Sequence, residues 1–504
     1  VVRRGRAQGR RAAGGPGVGR LIRVVAALLV LACTGNGTDT VTDDDVTCDH
    51  GDVNQDFGFL GVDVVTDNPS VHHLTLSAKL SASAPVDVVC TLDSDPSEVH
   101  RASSDDELCH ELDLYGLLGD RDYTCVLTSL TATEEVRVRT GTPPDTLPDV
   151  EVDEHDEDRR IGAYTLVTHL EKLAEPNQLK LLILDPEGRV RWSHFVTSGN
   201  SGDLCAGYLG DGRIFYGGAG GVVPTIVKLS GTTEWVGPSP STAGKPHHHV
   251  ELLDSGDVLM LSTLDNTDGL GDFTGFAVEQ VDLYAGTVRW TVNSQLTLEA
   301  GQLGRTDEDR DPWHPNALVS ISDENGDGVL VSLYGQREIV RMDPDTSMIL
   351  WRLGRYGDFT LLDAAGDELD PSEWFRGTHA PELNGDTLLV YDNGTPTKGS
   401  RIVAYTLDID ARTAWESWSW TEEGWAEPIW GDVDDLGNDH LLITRGHCDG
   451  CAGVNTESRS EILELDRATE DVVWRVRFPH FDDGLYRAER IDGCALFANE
   501  KYCP

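Results

Sequence analysis

The sequence predicts an all-β fold, a six-bladed β-propeller preceded by a small fibronectin-III/Ig-like β-sandwich, and three observations predict it. A short strand bearing a Trp recurs six times, at Trp192, Trp235, Trp290, Trp351, Trp415 and Trp474, each soon after an Asp or Ser turn. A Gly turn leading into a strongly apolar strand recurs alongside it, from Gly212, Gly256, Gly328, Gly385, Gly437 and Gly493. Internal repetition at this scale is the signature of propeller blades. Ahead of the repeats, short runs that alternate apolar and polar residues, such as Val71 to Ser77 and Tyr123 to Leu127, read as the strands of a sandwich.

Along the chain the segments follow in order. Residues 1–32 hold seven arginines and no acid, and end in an apolar run from Val24 to Leu31 before Ala32 and Cys33. That is the basic, apolar, small-residue order of a secretory signal, and Val30-Leu31-Ala32-Cys33 has the form of a lipoprotein cleavage box, with Cys33 as the lipidated residue. The protein is therefore expected in the cell envelope, as a periplasmic or surface lipoprotein, or secreted. Residues 33–50 are Gly, Thr and Asp with little to bury and read as a flexible acidic tether. Residues 51–145 form the sandwich module, in which Leu112 to Leu127 resembles a fibronectin-type-III corner around Tyr123. The acidic stretch 146–160 reads as a linker, and 161–504 as the propeller. The propeller opens with a Trp-bearing segment, Tyr164 to Trp192, and closes with an inner hairpin, Tyr486 to Phe497. The two ends then share one blade and leave no open sheet edge.

Charge and cysteine content narrow the function. With 87 acidic against 40 basic residues the formal net charge is -47. Such a surface repels phosphate, which argues against nucleic acid or an anionic membrane as partner, apart from a lipid anchor. Ten cysteines suit an oxidising compartment. Cys90, Cys109 and Cys125 can pin the sandwich, and Cys494 and Cys503 can staple the C-terminal end. His447-Cys448-Asp449-Gly450-Cys451 is a local staple, since one pair lacks the second ligand pair of a zinc site. Asp323 to Gly328 matches only the front of a calcium loop and reads as a turn between strands. No metal or cofactor is expected.

In a propeller the innermost strand of each blade lines the axial channel. At the start of three successive inner strands lie His247-His248-His249, Trp313-His314-Pro315-Asn316 and Thr378-His379-Ala380. Imidazoles so placed converge at one channel mouth. A neutral imidazole can attack an electrophile while a charged neighbour stabilises the anion that forms. Trp313, Trp374, Trp425 and Trp430 lie near the same strand starts, each more easily read as core than as a stacking surface for an aryl group.

These patterns, with Tyr391-Asp392-Asn393-Gly394 after the His379 strand and the closing Tyr486-Arg487-Ala488, resemble the bacterial arylsulfate sulfotransferases over about residues 160–504. The resemblance implies a six-bladed propeller that moves a sulfuryl group from a phenolic sulfate ester to a phenol, without the nucleotide donor PAPS, through a sulfohistidine. It implies His379 as nucleophile, assisted by His314 and His248, with His247, Asn316, Tyr334, Asn393 and Arg487 binding substrate. Its partners would be small phenols and aryl sulfates. In one place the chain departs from the pattern, reading Tyr334 where the family has an arginine. That departure favours an alternative, a catalytically inactive propeller serving as a cell-surface ligand-binding or scaffold protein.

Overall fold

The computed structural model describes residues 57–502 except 66–69, 172–177, 197–202, 219–221, 238–244, 269, 305–309, 324–325, 396–397, 428, 447–459, 481–482 and 492–495. The signal and tether, Cys33, Cys48, the His447 to Cys451 stretch, Cys494 and Cys503 lie outside the described residues. The described chain is almost entirely β, and no helix in it is long and apolar enough to cross a membrane.

Alternation of apolar and polar residues builds the first module, as in Asp122–Ser129, where every second residue is buried. Its five strands belong to one continuous sheet rather than two separate ones. Two long strands, His73–Leu92 and Asp95–Tyr115, pair along most of their length with register breaks between Lys79 and Val86. Phe59–Val65 joins the first half of the long strand and Asp122–Ser129 the second, so the sheet folds over a shared core of Leu76, Leu80, Val86, Val88, Leu112 and Leu127. The buried Tyr123 hydroxyl accepts from the Leu118 amide at 2.9 Å. A Cys90–Cys125 disulfide staples two neighbouring strands, and Cys109 is disulfide-bonded as well. Replacing Cys90 and Cys125 by Ala is predicted to lower the module's stability by about 2–4 kcal/mol, read by urea unfolding followed in the module.

Among the described residues, six further sheets each contain a four-stranded antiparallel meander. Their innermost strands are Asp483–Ile491, Leu204–Tyr208, Lys245–Leu252, Pro315–Asp323, Thr378–Asn384 and Asp432–Gly437. Each lies against the next and the last against the first, closing a ring. The first blade takes its inner strand from the C-terminal end, where Ile491 pairs with Tyr164 and Asp483 with Glu171, and its other three strands from residues 164–196.

The recurring Trp has a physical role here. Trp192 on the outer strand of the first blade donates to the Leu229 carbonyl of the second at 2.8 Å. Trp290 donates to Ser347 of the next blade at 3.1 Å, and Trp474 to the Pro186 carbonyl at 2.9 Å, so the indoles tie blade to blade. Near the axis, His249 Nδ1 accepts from the Leu318 amide, Glu251 from the Ser320 amide, and Glu382 from the Asp435 amide.

One expectation needs correction. Residues 146–160, read as a linker, contain the strand Glu151–His155, a fifth strand at the outer edge of the last blade. Its acids face basic neighbours, Glu154 to Arg475 at 3.2 Å and Asp153 to Arg477 at 2.6 Å. An acidic composition thus suits an edge strand, where charge also discourages further pairing. Of the hairpin expected over Tyr486 to Phe497, the strand Asp483–Ile491 is described and residues 492–495 lie outside the described residues. Leu496 and Phe497 are buried against the first blade, and Asn499 bridges to His100 of the N-terminal module. Asp323, at the end of one strand, pairs with Gly326 at the start of the next, and residues 324–325 between them lie outside the described residues.

A buried ion cluster joins module to propeller. Arg191, on the outer strand of the first blade, donates to both oxygens of Glu98, to Asp185 at 2.6 Å and to the Gly116 carbonyl at 3.0 Å. Arg189 donates to the same Asp185 oxygen at 2.8 Å, and Tyr502 donates to Glu187 beside them.

Candidate active site

Strained backbone at the inner-strand starts aims the site's side chains inward. His248, His314 and Ala380 hold left-handed φ of 58°, 40° and 43°, and Trp430, ahead of the last inner strand, holds 63°. Ladder register breaks there as well, between Pro246 and Val250, Pro315 and Ala317, and His379 and Glu382. Each break is a bulge, which turns a side chain out of the regular alternation and toward the axis. Left-handed backbone on residues other than Gly costs about 1–3 kcal/mol apiece and persists where its surroundings enforce it.

Three of the four histidines assigned to the site or its edge lie in ring contact. His247 stacks on His248 with centroids 3.8 Å apart, and His314 meets both edge-on, at 5.6 and 5.1 Å. Tyr334 bridges to the fourth, its ring 6.0 Å from His314 and 5.6 Å from His379. His248 and His379 are buried, whereas the His314 side chain is 39% exposed. The cluster therefore opens to solvent on the His314 side.

The protonation pattern of His379 follows from its neighbour. Asn393 donates its amide N–H groups to the carbonyls of Glu427 and Trp430, at 2.9 and 2.8 Å. Its Oδ1 must then accept, and the partner is His379 Nδ1 at 2.7 Å. The Nδ1 carries the proton, which leaves the Nε2 lone pair free. Burial pushes the His379 pKa down to about 3, against the raising effect of the Asn393 bond and with help from the charges of Arg487 and His314. The ring is neutral at neutral pH.

His314 is equipped differently. Its Nδ1 lies 2.6 Å from Asp311 Oδ2, an arrangement that favours the protonated ring and orients Nε2 outward. Burial works to raise the Asp311 pKa, but the bond and charge of His314 hold it below its usual value. Burial lowers His247 to about 4, with the His314 charge adding to the shift. Burial holds His248 well below its ordinary value, and the neighbouring imidazoles and Arg487 oppose its protonation further.

The other assigned residues fall into two groups. Asn393 acts on His379, as described. Asn316 is buried and its side-chain amide donates to the Thr378 carbonyl beside His379 at 2.7 Å, while its backbone carbonyl accepts from the Tyr486 hydroxyl at 2.9 Å. Arg487 lies within the channel, 3.4 Å from Asp432. It borders a cavity of about 300 Å3 lined also by His249, Glu251, Asp434 and Glu489. Its charge opposes protonation of His248, His249 and His379. Trp313, Trp374, Trp425 and Trp430 are all buried. Asp311 was legible as an acid three residues before His314, while nothing in the sequence pointed to Asp203, whose Oδ2 lies 3.7 Å from His248 Nδ1.

The buried histidines give an acid-sensitivity prediction. For His379 the folded pKa lies below the unfolded value, so between pH 6.5 and about 3 the unfolded chain binds the extra proton. The associated stability is complete above 6.5 and is lost as pH falls, at about 1.4 kcal/mol per pH unit. Urea unfolding from pH 7 to 4 is expected to show wild type losing stability relative to His379→Gln over that window. Parallel curves would contradict it.

Against known proteins, no curated protein matches the sequence. Among solved structures the chain is similar to dihydro-heme d1 dehydrogenase NirN in complex with DHE, at 7% identity over 75% of this chain and 74% of that one, TM-score 0.32. It is similar also to the GH43_1 enzyme from Xanthomonas citri complexed with xylotriose, at 10% identity over 62% and 91%, TM-score 0.29. Overlap at that level carries no argument. The sequence pattern described as Arylsulfotransferase (ASST) matches residues 151–487, well over half of the chain.

Proposed function

We propose that this chain, which belongs to the arylsulfotransferase (ASST) family, transfers a sulfuryl group from a phenolic sulfate ester to a phenol through a sulfated His379. The observation that carries the reading is the Asn393 bond to His379 Nδ1, which leaves a neutral ring with Nε2 free to attack. In the first half-reaction Nε2 bonds to sulfur, the S–O bond to the donor breaks, and the departing phenolate takes a proton from His314. In the second, His314 takes the proton of the acceptor phenol, whose oxygen attacks sulfur and breaks the N–S bond. Proton and sulfuryl group are each passed on once, and no cofactor is consumed.

His314 suits the shuttle because Asp311 supports its charged form and its side chain reaches solvent. Negative charge developing on the leaving oxygen meets preorganised donors, with His248 and His247 beside His314 and the Tyr334 ring in contact with both His314 and His379. Burial raises the Tyr334 pKa, so the group acts as a neutral donor. The disulfide at Cys90–Cys125 supports export to an oxidising compartment.

Tyr334, standing where the family pattern has an arginine, favours a second reading, a propeller that binds an aromatic ligand without turnover. Exposure to 4-nitrophenyl sulfate alone, followed by peptide mass spectrometry, separates the two. The transferase reading expects one added sulfuryl group on His379, removed by a phenol. Unmodified His379 with the ester still bound would support the binding protein.

A further inference from the structure

Between the outer strand of the fourth blade, Met348–Gly354, and the inner strand of the fifth, Thr378–Asn384, the chain does not turn directly. It adds a short strand, Thr360–Leu362, parallel to Thr413–Trp415 at the outer edge of the fifth blade, and then a 3-10 turn, Pro371–Glu373. Facing this insertion is the end of the hairpin formed by Thr387–Thr395 and Gly399–Asp408, and the two enclose a cavity of about 460 Å3. We propose that this cavity binds a small aromatic monoanion, an arene with one carboxylate, whose charge sits on Arg376 and whose ring lies against Leu361, Leu369 and Trp374. Such a site stands apart from the sulfuryl-transfer reading, because among the described residues no histidine lines the cavity.

Cations and carboxylates both line the cavity, and their pairing leaves one cation over. Arg401 donates to Asp392 at 3.1 Å and to Glu416 at 2.8 Å. Lys398 lies 3.5 Å from Glu373, both about half exposed. The half-buried Arg376 is placed by its backbone amide, which donates to Asp392 at 2.8 Å, but its guanidinium has no hydrogen bond or ion pair among the described residues. That planar fork matches a carboxylate, which it can hold by two parallel hydrogen bonds. The acidity of the whole chain does not forbid an anion here, since distant charges are screened over about 8 Å at physiological salt. Nearby charges do set the ligand's own: a second negative group would meet Glu373, Asp392 or Glu416, so one anionic group is the limit. The apolar side of the wall sets the rest. Leu361 and Trp374 belong to the core of this blade yet border the cavity, whose volume lies in the range that takes small organic ligands. A bare small anion would leave that side wet.

Titration of the intact protein with 4-fluorobenzoate, followed by fluorine NMR, is expected to saturate with a Kd of about 0.1–1 mM. Arg376→Gln removes the fork without stranding a partner and should weaken binding at least about tenfold, with Arg376→Lys in between. Acetate, measured as a competitor, should bind at least about fivefold more weakly than the arene. His379→Ala should bind the probe as the wild type does, whether or not the chain transfers sulfuryl groups. No saturation by about 10 mM would mean an arginine that water alone satisfies. Unchanged affinity in folded Arg376→Gln would put the probe elsewhere, and its loss in His379→Ala would put it in the channel. Any of these three results, or acetate binding as well as 4-fluorobenzoate, overturns the aromatic-anion site.

Discussion

His379→Ala is expected to abolish sulfuryl transfer, by at least about 10^4-fold in kcat, while the protein keeps its fold. The size follows from what is removed. The neighbouring imidazoles and Tyr334 can still stabilise charge, but none has a lone pair held ready by a fixed tautomer as Asn393 holds that of His379. Losing a buried imidazole leaves Asn393 Oδ1 without its donor, a cost of about 1–3 kcal/mol that a ring of blades can bear. Asn393→Leu tests the same idea from behind. The ring remains, its tautomer is released, and kcat should fall about 10^2- to 10^4-fold with KM little changed. Steady-state kinetics with matched circular dichroism would check both. Retention of full activity in His379→Ala would end the sulfohistidine mechanism.

The second large effect concerns stability. Arg191→Met is expected to cost about 3–5 kcal/mol, because it leaves the buried carboxylates of Glu98 and Asp185, between the module and the first blade, with Arg189 alone to answer both. Glu98→Gln should cost less, since Asp185 still answers the guanidinium. Pairing it with Arg191→Met should recover part of the loss, the signature of uncompensated charge rather than lost packing. Equilibrium urea unfolding measures all three. If the double variant is as unstable as the sum of the singles, packing is the cause instead.

Much of the architecture could be read from residue order, because repeated physics leaves repeated residues. A Trp that reaches the next blade's turn ties a seam, and at Trp192, Trp290 and Trp474 the indole makes that bond. The histidine cluster was legible for the same reason, since His248, His314 and His379 head equivalent strands. What stayed hidden arises between blades. Asp203 reaches His248 and Trp430 across sequence separations of 45 and 227 residues, and no local spacing encodes either contact. The strand Glu151–His155 was missed because acids facing basic neighbours look, in one dimension, like a solvated tether. The folded-over sheet of the N-terminal module depends on where two long strands bend, which alternation alone does not mark.

The shared first blade has a temporal consequence. Tyr486 and Arg487 ride on the strand that Tyr164–Glu171 must wait for, since that partner emerges from the ribosome some three hundred residues earlier. Until the late strand docks, Asn316 lacks the Tyr486 hydroxyl and the channel lacks its arginine. A nascent chain can hold five blades and every histidine and still lack the inner strand of the first blade, so the proposed transfer would report that synthesis had passed residue 491.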